Sequence, residues 1–464
     1  MHLRAVFSYD DDQLDGGLRV ATGPRPKAVL VGIRLAETSE ADFQASLAEL
    51  GRLADTLGLQ VVGEVVQRRG QLAVAAGLGE GKLRELAALT GGPGVVPEYT
   101  PPGVGRDQPD EVPDAVPKEE RAKVVLVDQD LSPRQTRNLE LATGAQVLDR
   151  SMVVVSIFQR HARSREARLQ VEIARLSYMA PRLRETGGGE DRKRGGIGGK
   201  GAGESALELG RRQIRDRIAE LRRELAMATR SADTQRSRRV QDQTAAIVGY
   251  TNAGKSSLMR ALTGDRMYVA DQLFATLDTT VRRLQPETRP PTLVSDTVGF
   301  IKNLPHDLVA SFRSTLQEAR DAQLLLHVVD ASDPAFRDHM QVTTDVLAEL
   351  EANLGETLLV LNKSDRLDDT QQAELQAEFP DAVLMSAQRE EDVRALHQRI
   401  VEFFERDMIE QDFLVPYNQQ AQVATLHERC RVLEERYDER GALIRVRAPQ
   451  VVLNQLARAF VETR

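Results

Sequence analysis

The stretch Ala245–Leu258 constrains what this chain can fold into more than any other part of its sequence. An apolar run, Ala245–Val248, predicts a buried strand, and the amphipathic run that starts at Ser256 predicts a helix. Between them lies the pattern G-x-x-x-x-G-K-S, which in this strand-to-helix context is typical of a loop that binds nucleotide phosphates. The sequence therefore predicts a multidomain α/β protein containing a P-loop domain with a doubly wound, mainly parallel sheet.

Each part of this loop has a chemical role. Gly249 and Gly254 allow turns that aim backbone N–H groups at phosphate oxygens, and the following helix adds the positive end of its dipole. Lys255 is expected to reach the β- and γ-phosphates, and the Ser256 hydroxyl to bind Mg²⁺. Further nucleotide contacts are expected from the residues between the glycines, which are Tyr250, Thr251, Asn252 and Ala253. The alternative, a glycine-rich turn that binds nothing, is disfavoured because both flanks fit.

A predicted strand that begins at Thr292 ends in a second motif, made of Asp296, Thr297, Val298 and Gly299. Asp296 is placed to hold Mg²⁺ through water, and the Gly299 N–H is placed to meet the γ-phosphate. The next residue is Phe300, where many switch GTPases have a glutamine that orients the attacking water. Because a phenyl ring neither donates nor accepts a hydrogen bond, hydrolysis by the isolated protein is expected to be slow.

Two later strand ends predict contacts to the base. The first carries Asn362, Lys363, Ser364 and Asp365, and the second, at the end of Ala382–Gln388, carries Ser386, Ala387 and Gln388. The Asp365 carboxylate can accept from the N1–H and the 2-amino group of guanine, while the Lys363 stem covers the ring. Adenine offers no such pair of donors, so the motif selects GTP over ATP. Each motif alone is a weak signal. Four of them in this order, each at the carboxyl end of a strand, are specific for guanine-nucleotide switches.

The segment Asp271–Thr280 is expected to contain the first switch, whose threonine closes over the γ-phosphate and Mg²⁺. Its predicted nucleotide contacts are Phe274, Ala275, Thr276, Leu277 and Asp278. We favour Thr276 over Thr279 and Thr280, because the apolar residues around Thr276 would seat the loop. An ordinary loop threonine is the alternative. The predicted catalytic residues are thus Lys255, Thr276 and Gly299.

Composition excludes several other classes of protein. The chain has 464 residues, which is too long for one ordinary core, and it contains no apolar run of about 18 residues and no secretion signal. Cys430 is the only cysteine, so disulfides within the chain and cysteine-based metal clusters are excluded. A cytoplasmic, monomeric protein without membrane contact is expected.

The charge is distributed unevenly. The net charge is −8, yet Arg160–Val240 holds 21 lysines and arginines against 11 acidic residues. An acidic chain with one basic segment indicates a polyanionic partner.

Four regions are predicted along the chain. An N-terminal α/β domain spans 1–158 and includes a Pro-rich, acidic insert at 90–118, read as a disordered insert or a long surface loop. Its Ala122–Arg150 segment predicts a parallel βαβ unit. A GTPase domain spans 241–407, and an α+β domain spans 408–464 with the order strand, helix, hairpin and helix.

The remaining region, 159–240, predicts a basic helical hairpin. Apolar residues recur at helical spacing from Leu169 to Leu183 and again from Leu207 to Leu225, with a Gly-rich, basic stretch at 187–204 between them. Glycine lets a backbone pass close to RNA, and cations neutralise phosphates. A solvated linker is the alternative for 187–204.

From about Val29 onward the sequence resembles the HflX-type translational GTPases, which are ribosome-associated members of the Obg/Era-like group. The resemblance rests on GLGEGKLRELAAL, DQDLSPRQTRNLE, GGIGGKGAGES, GYTNAGKSSL, LFATLDTT and DTVGFIKNLPH. It implies that FATLD is the first switch, with Thr276 as the second protein ligand of Mg²⁺ beside Ser256. In related GTPases an asparagine at the position of Asn252 binds K⁺. The insert at 90–118 is a departure, because relatives mostly run from helix to strand directly.

The resemblance also implies a function. Such proteins bind the large ribosomal subunit, can split stalled ribosomes under stress, and hydrolyse GTP faster on the ribosome; a role in ribosome biogenesis stays open. The hairpin tip would then contact ribosomal RNA. Some relatives use ATP through the N-terminal region, but no pattern in residues 1–150 supplies that chemistry. A tRNA-modification GTPase, an RNA-remodelling ATPase and a membrane-acting GTPase are the alternatives. This sequence lacks the feature that each of them would require. These features are, in the same order, a catalytic C-terminal cysteine, adenine-binding motifs and a membrane anchor.

Overall fold

A computed structural model of the protein describes residues 25–96, 117, 119–186, 206–237, 243–264, 273–274, 280–302, 318–349 and 355–462. The contacts between residues define two compact units. The first consists of residues up to Arg160 together with Val171–Arg222, and the second of His161–Gln170 together with the chain from Arg223 onward. Among the described residues, no helix is both long and apolar enough to cross a membrane.

The first unit is built on a four-stranded parallel sheet with strand order β2-β1-β3-β4. Its strands are β1 (Lys27–Leu35), β2 (Gln60–Arg69), β3 (Val124–Val127) and β4 (Gln146–Asp149). The helices that connect them in turn are α1 (Glu40–Thr56), α2 (Glu80–Thr90) and α3 (Pro133–Thr143). All four residues of β3 are buried, as expected for a central parallel strand covered on both faces.

The predicted βαβ unit is confirmed, and its helix start follows from the local sequence. The Ser132 hydroxyl accepts a hydrogen bond from the Gln135 N–H, while the Gln135 side chain accepts one from the Ser132 N–H. This capping box satisfies two N–H groups that a helix start otherwise leaves open. Pro133 occupies the first helical turn, where its missing N–H costs nothing, and Gly144 ends the helix in the left-handed conformation.

The structure describes the first residues of the predicted insert, 90–96. Thr90 is the last residue of α2, and the segment after it packs on the domain, with Val96 against the core and the Gly94 N–H bonded to the Ala142 carbonyl at 2.8 Å. On the far side, the Ala122 N–H donates to the Leu89 carbonyl at 2.9 Å. Residues 90–96 therefore belong to the folded domain; 97–116 and 118 lie outside the described residues.

Three helices follow this sheet along the chain: α4 (Arg150–His161), α5 (Arg165–Thr186) and α6 (Ala206–Ser237). The predicted helical stripes lie on α5 and α6, where Leu169, Ile173 and Leu221 are buried and Leu176, Ile214 and Leu225 are half-buried. Arg165 of α5 forms an ion pair with Glu224 of α6 at 3.2 Å. The predicted basic tip, 187–204, lies outside the described residues.

The second unit contains a six-stranded sheet with strand order β10-β9-β8-β5-β7-β6. All neighbours pair in parallel except β6 and β7, so the predicted doubly wound, mainly parallel sheet is confirmed. The strands are β5 (Gln243–Val248), β6 (Thr280–Arg283), β7 (Thr292–Asp296), β8 (Leu324–Asp330), β9 (Glu356–Asn362) and β10 (Val383–Leu384). The described helices around it are α7 (Lys255–Thr263), α8 (Phe336–Glu349), α9 (Asp369–Glu378) and α10 (Glu390–Glu405).

The strand predicted over Ala382–Gln388 is shorter than expected. Only Val383–Leu384 pairs with β9 as a strand. The Met385 N–H still donates to the Leu361 carbonyl of β9 at 2.9 Å, but the Met385 carbonyl bonds to the loop that follows β9. The Ser364 N–H donates to the Met385 carbonyl at 3.1 Å.

The last part of the chain forms a three-stranded antiparallel sheet with order β11-β13-β12. The elements are β11 (Met408–Val415), α11 (Gln420–Arg429), β12 (Arg431–Asp438), β13 (Gly441–Pro449) and α12 (Gln450–Glu462). This confirms the predicted order of strand, helix, hairpin and helix. At the hairpin turn the Asp438 carboxylate accepts from the N–H groups of Arg440 and Gly441. Cys430 is buried in the core of this sheet. The boundaries of the four predicted regions stay predictions.

Candidate functional site

The topology of the six-stranded sheet brings the predicted motifs together. The P-loop follows β5, the Asp-Thr-Val-Gly motif completes β7, and the two base-contact motifs follow β9 and β10. These four strands run parallel within one sheet, so their carboxyl ends lie along the same edge. That edge is where doubly wound sheets bind ligands.

The two P-loop glycines are required by the backbone. Gly249 has a φ of +150°, and a Cβ placed on it would lie 2.1 Å from the Val328 carbonyl oxygen. Gly254 has a φ of +94°, and its Cβ would lie 2.2 Å from Nδ2 of Asn362. Both positions combine a left-handed conformation with a close neighbour, so no other residue fits without a shift of the loop.

Lys255 is buried and folds back onto its own loop. Its Nζ donates to the carbonyl oxygens of Gly249 at 3.0 Å and Tyr250 at 2.7 Å. Burial lowers the pKa of Lys255 to about 8, and the nearby Asp296 carboxylate opposes that shift. A desolvated ammonium that donates to two neutral carbonyl oxygens is well placed to donate to phosphate oxygens instead.

Two of the residues predicted to hold Mg²⁺, Ser256 directly and Asp296 through water, meet at the start of α7. The Ser256 hydroxyl donates to Oδ2 of Asp296 at 3.0 Å, and Asp296 is fully buried. The next residue, Thr297, donates to the Ile247 carbonyl at 2.7 Å and so fixes the end of β7 to β5. A hydroxyl and a carboxylate side by side are the oxygen donors that Mg²⁺ prefers, so these residues fit the ion.

The residues after Asp296, which include Gly299 and Phe300, lie against the P-loop. A Cβ on Gly299 would lie 2.9 Å from Nζ of Lys255 and 2.9 Å from Cγ2 of Thr251, so a side chain there would enter the phosphate site. Phe300 is only 1% exposed, and its backbone bonds to the P-loop on both sides. Its N–H donates to the Gly249 carbonyl at 3.2 Å, and its carbonyl accepts from the Thr251 N–H at 2.8 Å. The phenyl ring is therefore a core side chain.

Asn362 joins the P-loop to the two base-contact motifs. Its Nδ2 donates to the Ala253 carbonyl at 2.8 Å, and its Oδ1 accepts from the Ala387 N–H at 3.0 Å. Asp365 is exposed, so its carboxylate is accessible to a base. Ser386 is buried, and its N–H donates to Asp392 at 2.8 Å, which fixes the last motif to α10.

Three residues around this site were not among the predicted ones. Asp330 ends β8 and accepts from Nζ of Lys363 at 2.6 Å, while Lys363 also donates to the Asn252 carbonyl at 2.8 Å. His339 of α8 stacks on the Tyr250 ring with a centroid separation of 3.9 Å. The Lys302 N–H donates to the Tyr250 hydroxyl at 2.8 Å. A carboxylate at the end of the apolar run Leu324–Asp330 was the one signal in the sequence that could have indicated Asp330.

The predicted first switch is only partly described. Ala275, Thr276, Leu277 and Asp278 lie outside the described residues, so the assignment of Thr276 to Mg²⁺ stays a prediction. Phe274 is buried and has a positive φ of 57°. Thr280, one of the alternatives, starts β6 and pairs with Asp296.

The parallel sheet of the first unit reverses its strand order between β1 and β3, where ligands bind in open sheets. Gln129 occupies this point, because its Oε1 accepts from the Ile33 N–H at 3.1 Å and its Nε2 donates to the Ile33 carbonyl at 2.9 Å. Beside it the buried Arg150 pairs with Glu49 and, at 2.7 Å, with Asp128. Because these side chains pair with one another, we assign no ligand to them.

Three family models match the chain. A model described as the N-terminal region of a GTP-binding GTPase matches residues 44–95 and 101–159, and one described as the middle region of a GTP-binding GTPase matches 161–239. A third, described as a 50S ribosome-binding GTPase, matches residues 244–363.

Curated relatives match across most of the chain. A GTPase HflX from Gluconacetobacter diazotrophicus is 54% identical over 449 residues, which cover 94% of this chain and 98% of that protein. A GTPase HflX from Caldanaerobacter subterraneus is 36% identical, covering 91% of this chain and 90% of its own length. A GTPase HflX from Escherichia coli is 39% identical, covering 76% of this chain and 84% of its own length.

Proposed function

Because the chain belongs to the HflX family of GTPases, we propose that it binds the large ribosomal subunit and couples this association to GTP binding and hydrolysis. We further propose that the complex splits or rescues stalled ribosomes under stress. The observation that carries the nucleotide part is the convergence of the P-loop, Asp296, Asn362 and the accessible Asp365 at one sheet edge. Family membership favours this function over the tRNA-modification, ATPase and membrane alternatives.

The chemistry follows from the positions of the chain's own side chains. Lys255 exchanges its two carbonyl partners for phosphate oxygens, which restores a charged partner to a buried ammonium. Ser256, and Asp296 through water, hold Mg²⁺, which neutralises charge on the β- and γ-phosphates when it is bound. Asn362 holds the P-loop and Asp365 reads guanine. We propose Thr276 as the second protein ligand of Mg²⁺ and the Gly299 N–H as a contact to the γ-phosphate.

The ribosome part of the proposal is supported by the charge of the two long helices. α6 carries eight arginines against five acidic residues, and α5 carries five arginines against three. Arg215 and Arg222 are exposed on α6. Exposed cations on a helix attract a phosphate backbone irrespective of its sequence, so ribosomal RNA fits this surface.

Co-sedimentation with separated ribosomal subunits tests the proposal. We expect the protein to pellet with the large subunit, and more strongly with a non-hydrolysable GTP analogue than with GDP. Equal recovery in the supernatant with either subunit and either nucleotide would contradict it.

A charge variant localises the contact. Replacing Arg192, Lys193, Arg194 and Lys200 together by alanine removes up to four phosphate contacts, which should lower the magnitude of the log–log salt slope by roughly 3. The matched control replaces four exposed arginines of the GTPase region, namely Arg283, Arg320, Arg394 and Arg399. If the first variant keeps the wild-type salt slope, 187–204 is a solvated linker and not an RNA contact. GTP hydrolysis without ribosomes should be unchanged in both variants.

A further inference from the structure

The side chain of Tyr250 joins three parts of the GTPase domain, although the residue itself lies in the P-loop. It is buried, with an exposed fraction of 5%. Its ring stacks on the His339 imidazole of α8, with 3.9 Å between the ring centroids and 11° between the ring planes. Its hydroxyl accepts a hydrogen bond from the Lys302 N–H at 2.8 Å. Both the apolar and the polar part of this tyrosine are therefore held by specific neighbours.

The hydroxyl extends a backbone contact that is short by itself. Tyr250 and Phe300 form a single parallel bridge. In it the Phe300 N–H donates to the Gly249 carbonyl at 3.2 Å, and the Phe300 carbonyl accepts from the Thr251 N–H at 2.8 Å. The bridge is isolated within the described part of the chain, and the bond from the Lys302 N–H lies two residues beyond it. The Tyr250 hydroxyl thus supplies the next attachment of residues 299–302 to the P-loop.

Gly299 lies between the points at which its segment is attached. On one side, the Thr297 hydroxyl donates to a carbonyl of β5 at 2.7 Å. On the other side are the bridge at Phe300 and the Tyr250 hydroxyl. The Gly299 N–H is expected at the γ-phosphate, and a Cβ on Gly299 would lie 2.9 Å from Nζ of Lys255. Because a hydrogen-bond donor stabilises a transition state best when it is held in place beforehand, attachment on both sides of Gly299 matters for hydrolysis.

The helix α8 contacts both residues of the hydrogen bond between Tyr250 and Lys302. His339 lies in its first turn, where the His339 N–H donates to the Ala335 carbonyl at 3.1 Å. The adjacent Asp338 carboxylate lies 3.9 Å from Nζ of Lys302, but both side chains are exposed and such a pair contributes little. The stack on His339 is therefore the contact through which α8 seats the Tyr250 ring.

We propose that Tyr250 is a positioning residue for GTP hydrolysis. Its side chain holds 299–302 against the P-loop, so that the Gly299 N–H stays where it meets the γ-phosphate. The side chain acts through Gly299 and does not touch the nucleotide. Because GDP has no γ-phosphate, the contact favours GTP over GDP. This inference rests on the proposed function, since it requires GTP in the P-loop.

The test uses the full-length protein with two substitutions at this position. Tyr250→Phe removes the hydroxyl and keeps the ring that stacks on His339, whereas Tyr250→Leu removes both. The matched control is Tyr417→Phe, because the Tyr417 hydroxyl donates to the Asp438 carbonyl at 2.8 Å beside the C-terminal sheet. The measurements are affinities for GDP and for a non-hydrolysable GTP analogue, single-turnover GTP hydrolysis at saturation, and thermal unfolding to show that each variant is folded.

Tyr250→Phe should slow single-turnover hydrolysis and weaken binding of the analogue, each by about three- to tenfold, the effect of losing one hydrogen bond. GDP affinity should stay within about twofold, because the lost bond acts on the group that meets the γ-phosphate. Tyr250→Leu should show the same selective pattern with a loss at least as large. Tyr417→Phe should keep the wild-type values of all three nucleotide measurements.

Two results for Tyr250→Phe would overturn the inference. An equal loss of GDP and analogue affinity would show that the hydroxyl only supports the P-loop. Wild-type hydrolysis with the wild-type preference for the analogue would show that Gly299 is positioned without it. Either result removes the inference alone, whereas failure of the wild-type protein to bind GTP would remove the proposed function as well.

Discussion

Asn362 is the residue whose replacement should most clearly separate nucleotide binding from catalysis. Its side chain is 2% exposed and makes two hydrogen bonds, from Nδ2 to the Ala253 carbonyl at 2.8 Å and from the Ala387 N–H to Oδ1 at 3.0 Å. The first bond fixes the P-loop and the second fixes the loop after β10. Asn362→Ala removes both.

The size of the effect follows from the burial of the two partners. Leaving one buried polar group unpaired costs about 1–3 kcal/mol. Ala253 is 1% exposed, so the full cost applies to its carbonyl, whereas the Ala387 N–H is half-buried and regains water. The expected loss is therefore about 2–4 kcal/mol in the GTPase domain. For a domain of this size, that corresponds to a fall of roughly 5–15 °C in Tm.

Thermal unfolding without nucleotide and titration with GDP and with a GTP analogue measure the two consequences. Because Asn362 holds the loop and is remote from the γ-phosphate, both nucleotides should lose affinity by the same factor while single-turnover hydrolysis at saturation changes little. Asn362→Asp keeps the acceptor for Ala387 and should show a smaller loss. The control is Asn138→Ala, which removes an exposed amide bond to the Ala75 carbonyl and should cost less than about 1 kcal/mol. A Tm within 1 °C of the wild type together with unchanged GDP affinity would refute the reasoning.

Three further results are expected. Asp365→Asn should exchange the preference for GTP for a preference for XTP, because the amide mismatches guanine; an unchanged preference in a nucleotide competition assay would show that the base is read elsewhere. GDP affinity should fall above pH 8, by up to about tenfold per pH unit. The reason is that Lys255 has a pKa of about 8 in the nucleotide-free protein, and its charged form is the one that binds phosphate. Lys255→Met should remove this dependence of GDP affinity on pH. With the pKa of the folded state below the ordinary 10.5, the nucleotide-free protein should also gain stability as pH rises from 8 towards 10.5. Single-turnover hydrolysis should be slow in the isolated protein and faster with large subunits, and faster in KCl than in NaCl if Asn252 binds K⁺; equal rates in the two salts would remove only the K⁺ proposal.

The sequence was sufficient to predict elements whose signals are local. The strand before the P-loop, the capped helix at Ser132 and the hairpin turn at Asp438 each carry their information within a few residues. The nucleotide motifs could be predicted for the same reason, because each is a short run at the end of a strand. Their convergence followed from the parallel order of those strands.

Other features depend on contacts between distant residues. β6 has only four residues and is held as an edge strand by β7. α4 contains three consecutive β-branched valines, Val153, Val154 and Val155, which carry no helical period. The pairing of Asp330 with Lys363 joins residues 33 positions apart.

The bond between the Ala122 N–H and the Leu89 carbonyl has a practical consequence for labelling this protein. It joins the chain before 97–116 to the chain after it, so the folded domain holds the two ends of that segment in place. Because the entropy of closing a loop grows with the logarithm of its length, doubling the segment costs only about 0.6 kcal/mol. A fluorophore-binding peptide or an affinity tag spliced into 97–116 would therefore leave the domain folded. It would also lie in a different unit of the chain from the nucleotide site, which makes this segment a suitable place from which to follow ribosome association.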